Sequence, residues 1–225
     1  MQAMQKTTKN HTRFFVILGN DDPRFYEHLF VDADTNGILS YVHEKTVPCE
    51  EFFITGYSYV PPTPFQLKDW ERYDVSRFVD VGAVSPEKGR RTIPVSPDEI
   101  RDATIAEDLT RLSKNAPPRK TIFLFHSPPY DTTLDAIEVN GKMVDHAPVD
   151  AHIGSIAIQR FIAEQQPLVT LHGHAHESTR LSGHWMQKTG KTYSFSAAHD
   201  GPELAVVRFD TDALSKATRT LVSPS

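Results

Sequence analysis

The stretch Leu-Val-Thr-Leu-His-Gly-His-Ala-His-Glu at residues 168–177 decides how the chain is interpreted, because an apolar run breaks here into three histidines around a glycine. The run lies between a proline and a glycine, which favours a short buried strand that ends at the histidines. Imidazole is the commonest protein metal ligand, and two of them one residue apart on extended backbone can point the same way. His174 and His176 are therefore candidate metal ligands. The alternative is that they are loop histidines that lie close by chance.

The composition is that of a mildly acidic globular chain. It has 225 residues, of which 39% are hydrophobic and 24% charged, and a formal net charge of −5. This balance leaves no basic footprint for nucleic acid or an anionic membrane. The single cysteine, Cys49, excludes an intramolecular disulfide and a cysteine-based zinc cluster. Neither a signal peptide nor a membrane span is recognisable, so we expect a cytoplasmic location.

Two further apolar runs end in residues that can bind metals. Residues 14–18 predict a strand, and Asn20 follows it in a Gly-Asn-Asp-Asp-Pro turn, where an isolated asparagine would more often be a turn residue. Residues 121–125 predict a buried strand that ends at His126. Since the carboxyl ends of strands meet at one edge of an α/β sheet, we expect Asn20 and His126 to converge there with the two histidines.

The segments between these strands predict one α/β domain. Ser96 has capping-box spacing and opens a helix with an apolar face, and Ser155 opens a second helix that leads into the histidine strand. Strand, helix and strand in that order form a crossover and imply parallel neighbours. Further strands are predicted at residues 38–42, 52–55, 184–188, 193–196 and 204–209.

Four segments are expected to be irregular. Residues 56–64 are rich in proline and tyrosine and predict a stiff loop, and a long loop is expected after His126 up to about residue 151. The charged residues 66–91 predict a surface insertion whose aromatic side chains serve packing, and residues 211–225 predict a polar, exposed tail.

The candidate ligands carry no negative charge. Three imidazoles and an amide oxygen suit Mn²⁺, Fe²⁺ or Zn²⁺ better than Ca²⁺ or Mg²⁺, which favour more oxygen and more charge. Asp21 and Asp22 lie beside Asn20, and Asp131 and Asp135 lie beyond His126, but none occupies an obvious ligand position.

At these residues the chain resembles the calcineurin-like metallophosphoesterase superfamily. The family pattern has, in order, Asp-x-His, Gly-Asp, Gly-Asn-His followed by Asp or Glu, a lone His after a strand, and Gly-His-x-His. Residues 19–22, His126 and residues 173–176 resemble the last three motifs. The resemblance implies a partial metallophosphoesterase-type α/β sandwich, with mixed sheets flanked by helices. It also implies that residues 1–225 form a single domain that is incomplete at its N-terminus.

The resemblance assigns Asn20, His126 and His174 to one divalent metal ion and His176 to a second. The implied activity is hydrolysis of a phosphate monoester or diester by a metal-bound hydroxide. Asp21 stands where the family has a histidine that helps to protonate the leaving oxygen or to bind phosphate, which makes it the candidate catalytic residue. The loop after His126 and the loop at residues 56–65 would then shape the substrate pocket.

The chain departs from the family because the first two motifs are absent. Asp150-Ala-His152 matches the Asp-x-His pattern of the first motif. It comes in the wrong order relative to the other motifs and before a helix, so we interpret it as a chance match. The alternative function is a non-catalytic metal-binding or regulatory module that has lost half of the dinuclear site. The missing part would come from an N-terminal segment, a partner chain or a homo-oligomer. Alone, the chain is expected to hold at most one metal weakly.

Overall fold

The computed structural model describes residues 12–141, 143–144 and 146–224. The strands in chain order are β1 (Phe15–Val16), β2 (Ser40–Tyr41), β3 (Thr46–Cys49), β4 (Phe52–Tyr57), β5 (Thr121–Phe125), β6 (Met143–Val144), β7 (Ala147–Pro148), β8 (Val169–His172), β9 (Met186–Thr189), β10 (Thr192–Ser196), β11 (Leu204–Arg208) and β12 (Thr218–Val222). The α-helices are α1 (Glu27–Thr35), α2 (Pro97–Asp102), α3 (Ile105–Leu112), α4 (Ile156–Gln165) and α5 (Ser178–Ser182). None of the helices in these ranges is long and apolar enough to span a bilayer.

A mixed six-stranded sheet forms the centre of the molecule, with the strand order β3-β4-β5-β8-β10-β9. The four inner strands run parallel, whereas β3 and β9 pair antiparallel at the two edges. Helix α4 connects β5 to β8, so the predicted crossover and its parallel pairing are confirmed. The expected α/β class is confirmed as a mixed sheet with helices. Strands β1 and β2 form a separate parallel pair.

The apolar run of β5 supplies both faces of the sheet. Phe123 and Phe125 pack on one side with the helices, beside Leu109 of α3 and Phe161 of α4. Ile122 packs on the other side, in a second buried cluster. This alternation follows from the period of two along a strand, and it explains why a continuous apolar run is needed where both faces are covered. The carboxyl end of β5 is thereby held rigidly in the sheet.

The helix predicted from Ser96 is divided in two. The Ser96 hydroxyl accepts a hydrogen bond from the backbone N–H of Glu99, as the capping-box spacing predicts. Ala103 then adopts an extended conformation and ends α2, and Thr104 caps α3 in the same manner. The predicted apolar face lies on the second helix, where it is buried. A second capping residue, Thr104, therefore divides the predicted helix into two.

The prediction of a surface insertion at residues 66–91 is wrong for its first part, whereas the predicted packing role of its aromatic side chains is confirmed for Trp70 and Tyr73. Trp70 is fully buried, and the side chains of Lys68 and Glu71 are 0% and 1% exposed. The Lys68 ammonium donates to the Glu71 carboxylate and to the backbone oxygen of Thr63. Charged residues can lie in the interior when they pair with one another, so the charged composition of this segment did not indicate exposure to solvent. Phe78, in contrast, is exposed.

The predicted polar tail at residues 211–225 contains a strand, since β12 pairs antiparallel with β11 over five residues. The β-hairpin adds main-chain hydrogen bonds that a polar composition does not reveal. Several elements were not predicted, among them α1 and β3. No residue of α1 is buried, so the helix lacks the apolar stripe from which a helix can be predicted.

Candidate metal centre

Three of the predicted ligands lie together where strands of the two parallel groups end. His126, directly after β5, has Nε2 at 2.8 Å from the Asn20 side-chain oxygen. His174, two residues after β8, has Nδ1 at 2.9 Å from the same oxygen. The two imidazole rings are 5.2 Å apart between centroids. The structure therefore brings together Asn20, His126 and His174, which lie far apart in sequence, and their role as ligands stays a prediction.

Local backbone geometry makes this convergence possible. A Cβ atom at Gly19 would lie 2.5 Å from the His126 ring, so only glycine leaves room for that imidazole. The Gly173 N–H donates to the His126 carbonyl oxygen, which ties the end of β8 to the end of β5. His174 has a φ of 65°, a left-handed conformation that is uncommon for a residue with a side chain. Such strain is typical of functional sites.

Both imidazoles are held in the neutral form. Burial lowers the pKa of His126 to about 4, an effect that Asp21 and Asp22 oppose. Burial first, and then the neighbouring His126 and His176, lower the pKa of His174 to about 3. A neutral imidazole offers a lone pair, which is the form that binds a metal, so no proton has to be displaced at neutral pH.

The donor set of this trio fits one divalent ion of the transition series. Two atoms bound at right angles to one ion at about 2.1 Å lie about 3 Å apart, which is close to the two measured nitrogen–oxygen separations. In addition, Nε2 of His174 is buried without a hydrogen-bond partner. Imidazole and amide oxygen suit Mn²⁺, Fe²⁺ or Zn²⁺. Asn20, His126 and His174 can therefore hold such an ion.

Carboxylates are missing from this set. Over the described ranges, no three or more His, Cys, Asp or Glu side chains are grouped to hold a metal ion. Asp21 is exposed and lies beside the trio, where it accepts a hydrogen bond of 3.3 Å from the Asn20 amide nitrogen. His176 is also exposed and makes no hydrogen bond to the three convergent groups among those observed.

A cavity of about 380 Å³ is lined by Asn20 and His174 of the trio, and also by Asp21 and His176. One wall is apolar and includes residues 61–65, which belong to the predicted stiff loop. The opposite wall comes from the long loop after His126, through Ile137, Val149 and neighbouring residues. Both loops that were expected to shape a pocket thus line the cavity that contains the candidate ligands.

The third histidine of the opening stretch has a structural role. His172 is the last residue of β8, and its ring stacks on Phe125 with centroids 5.7 Å apart. Its two nitrogens are within hydrogen-bond distance of the Ser127 carbonyl oxygen and the Thr170 hydroxyl. A buried and fully hydrogen-bonded imidazole of this kind stabilises the end of the sheet.

Sequence reasoning missed one histidine of the cavity. His152 lines it together with Asp150, although the Asp-x-His spelling had been interpreted as a chance match. The Asp-x-His pattern was the only indication of this residue in the sequence. The hydrogen-bond partner of His152 is Asp135, which lies 17 residues away in a loop. No periodic pattern links two loop positions at such a separation.

The sheet and its helices define an α/β protein, and similarity to known proteins extends to the fold. Neither models of protein families nor curated proteins match the chain. A protein known from a crystal structure is similar, with a TM-score of 0.55 and 17% sequence identity. The alignment covers 93% of this chain, which spans 65% of the length of that protein. At this identity, the likeness shows the fold alone.

Proposed function

We propose that this chain is a metal-dependent phosphoesterase with a metallophosphoesterase-type α/β sandwich fold. The observation that carries the proposal is the convergence of Asn20, His126 and His174 at strand ends, where Asn20 and His174 line the 380 Å³ cavity. Strand ends that meet at one edge are where α/β proteins bind ligands. The three motifs that resemble the superfamily supply these three groups and His176, which supports phosphate-ester hydrolysis as the reaction.

Each of these residues has a distinct part in the proposed site. Asn20, His126 and His174 would hold one divalent ion, and His176 would bind a second in the complete site. A bound ion of this type supplies a Lewis acid that polarises the phosphoryl group and makes water a nucleophile at neutral pH. Asp21 accepts from the Asn20 amide nitrogen, which orients the opposite oxygen toward the two imidazoles.

The cavity provides the environment for the ester. Its apolar wall at residues 61–65 can pack against the alcohol part of a substrate, while the phosphate lies toward the histidines. Two hydrogen bonds hold this wall in place, because Thr63 donates through its N–H and its hydroxyl to the buried Glu71 carboxylate. A rigid wall holds a substrate in one orientation, which lowers the entropic cost of reaching the transition state.

Metal stoichiometry and turnover of aryl phosphates test the proposal. Purified protein is stripped with chelator and loaded with Mn²⁺ or Zn²⁺, the bound metal is counted by mass spectrometry, and hydrolysis of p-nitrophenyl phosphate and its diester is measured. We expect His174→Ala to lose both metal and activity, whereas His184→Ala retains both because His184 is exposed before β9 and does not line this cavity. Equal losses in both variants would contradict the proposal.

A second candidate function is a metal-binding or regulatory module without turnover. It is favoured by one observation, namely that the convergent donors include no carboxylate to offset the charge of two ions. The same experiment separates the two functions. One ion per chain without hydrolysis of either ester supports the module, whereas metal-dependent turnover supports the enzyme.

A further inference from the structure

A histidine–aspartate pair lies at the wall of the cavity, where His152 is a lining residue. Nδ1 of His152 is 2.8 Å from an Asp135 carboxylate oxygen. Asp135 is fully buried, and its carboxylate also accepts backbone N–H bonds from Asp131, Thr132 and Gly154. These bonds fix the carboxylate, and the carboxylate in turn fixes the His152 ring. The proton of the neutral ring is therefore held at Nδ1, and Nε2 is left for other partners.

The second nitrogen of His152 is not engaged by Asp135 and makes none of the observed hydrogen bonds. The His152 side chain is 31% exposed, and the residue lines the same cavity as Asn20 and His174. The nearest acidic atom to Nε2 belongs to Asp131, at 3.7 Å, which is too long for a hydrogen bond. An imidazole that is oriented by a buried carboxylate and open on its other side is the arrangement found in acid–base catalysis.

Charges around His152 favour its protonated form. Burial lowers the pKa of His152, but the hydrogen bond to Asp135 and the charges of Asp131, Asp135 and Asp150 outweigh that effect and raise it above its ordinary value. The ring edge of Tyr130 also packs against it, and the Tyr130 hydroxyl donates to Asp150. A raised pKa keeps more of the imidazole in the protonated form, which is the form that can donate a proton.

A purely structural role explains the pair less well. Asp135 already accepts three backbone N–H bonds, so the loop carboxylate is satisfied without an imidazole. A histidine added only for packing would be buried on both sides, as His172 is. His152 is instead partly exposed, and it lines both the cavity of Asn20 and His174 and a neighbouring pocket beside Asp131.

We propose that His152 is the general acid of the phosphoesterase and that Asp135 is its positioning residue. The inference rests on the proposed function. The oxygen of the attacking water forms the new bond to phosphorus and gives up its proton to solvent. The bond from phosphorus to the alcohol oxygen breaks with its electron pair on that oxygen. Nε2 of His152 then donates its proton to the leaving oxygen and takes one back from solvent.

The dependence on the leaving group tests this role. Hydrolysis of phenyl phosphate, whose leaving oxygen needs a proton, is compared with that of p-nitrophenyl phosphate, whose leaving oxygen needs it much less. We expect His152→Gln to lose about a hundredfold or more in kcat on phenyl phosphate, in the range of general acid catalysis, and only a few-fold on the nitrophenyl ester. The control His28→Gln, on the exposed α1, leaves both rates unchanged. Equal losses on both esters would overturn the proposal.

The role of Asp135 is read from a pH profile. Asp135→Asn removes the charge that holds the His152 proton, so the limb of the profile on which activity falls with rising pH should move to lower pH. Asp131 and Asp150 remain, and they keep part of the pKa elevation. A lower rate with an unmoved limb would overturn the positioning role.

A binding measurement keeps this inference separate from the proposed function. The imidazole NMR signals of His152, assigned with His152→Gln, are followed while inorganic phosphate is added to the metal-loaded protein. A shift of these signals supports His152 as the group that faces the phosphate, even if no ester is hydrolysed and the proposed function fails. Signals that do not respond to phosphate would overturn the proposal, whether or not the protein turns over esters.

Discussion

Gly19 controls whether His126 can reach Asn20. A methyl group at this position would lie 2.5 Å from the imidazole, so Gly19→Ala must displace the ring. Overpacking of this kind costs about 1–3 kcal/mol. Metal binding would have to supply this energy to bring the displaced ring back, so the metal affinity should fall by about tenfold to a hundredfold. Titration with Zn²⁺ measures the change. Gly173→Ala is the matched control, because its Cβ would meet the same ring at an ordinary 3.4 Å. Equal affinities in the two variants would contradict this account.

His43 makes the stability of the protein depend on pH. Burial first, and then Arg24 and Arg72, lower its pKa to about 3, and its Nδ1 accepts the Ser58 N–H, so the folded state holds the ring neutral. The unfolded chain binds a proton below about pH 6.5, and the stability that His43 contributes is present above that pH and decreases as the pH falls toward 3. The loss is about 1.4 kcal/mol for each pH unit.

The variant His43→Gln keeps an acceptor for the Ser58 N–H but has no group that titrates. When the pH is lowered from 6.5 to 5, we therefore expect its free energy of unfolding to decrease by about 2 kcal/mol less than that of the natural chain. Urea unfolding at the two pH values measures the difference. His28→Gln serves as control, because His28 is exposed and should leave the pH dependence unchanged. The same pH dependence in all three proteins would show that His43 does not titrate on unfolding.

Among single residues, the sequence identified the candidate ligands that follow apolar strands and missed those in loops. His126 and His174 were predicted because each comes at the end of an apolar run, and the structure places them in contact with Asn20. His152 and Asp135 meet through the tertiary path of one loop. Local patterns carry no information about such a path, so their pairing could be seen only in three dimensions.

Helix α4 depends on a capping residue from another segment. Asp74 accepts the backbone N–H groups of Ile156 and Ala157 and the hydroxyl of Ser155. Asp74→Ala leaves these three part-buried donors without their acceptor, which we expect to destabilise the protein by about 3 kcal/mol. Asp98→Ala, at the exposed start of α2, should change stability by less than about 0.5 kcal/mol. Urea unfolding of both variants measures the free energies, and equal values would exclude the capping role.

At the scale of elements, apolar periodicity located what is buried on both faces. Strand β5 and helix α4 lie where the sequence predicted them, because their apolar positions repeat with a period of two or of 3.6 residues. The exposed α1 and the edge strand β3 have no such repeat. The region around Lys68 was predicted as exposed, since pairing between buried charges has no signature in a linear pattern.

The candidate metal centre joins the ends of three distant segments, so metal binding and folding of the whole molecule are linked. Asn20, His126 and His174 can converge only in the folded state, and an ion at a hundred times its dissociation constant would then stabilise the fold by about 2.7 kcal/mol. We expect Mn²⁺ or Zn²⁺ to raise the melting temperature and chelator to reverse the effect. Ca²⁺ should have less effect, because it prefers more oxygen ligands.

The variant His126→Ala is the test of that linkage. Without this imidazole only one nitrogen and one oxygen donor of the trio remain, which is too few for a stable site, so the metal-induced rise in melting temperature should disappear. His184→Ala should retain the full rise. An equal rise in both variants would mean that the stabilising ions bind elsewhere on the surface.

The outer edge of the sheet bears on solubility. Pro48 lies in β3, which is an edge strand, and its carbonyl oxygen points away from the sheet, where it accepts a hydrogen bond from Arg13 at 2.6 Å. Proline has no N–H, so an incoming strand meets a gap in the row of donors at this residue. Pro48→Val would restore the missing donor and increase β propensity at the same place. Concentrated solutions of that variant should become turbid on incubation sooner than those of the natural chain, because the proline ring no longer interrupts the row of donors at this edge.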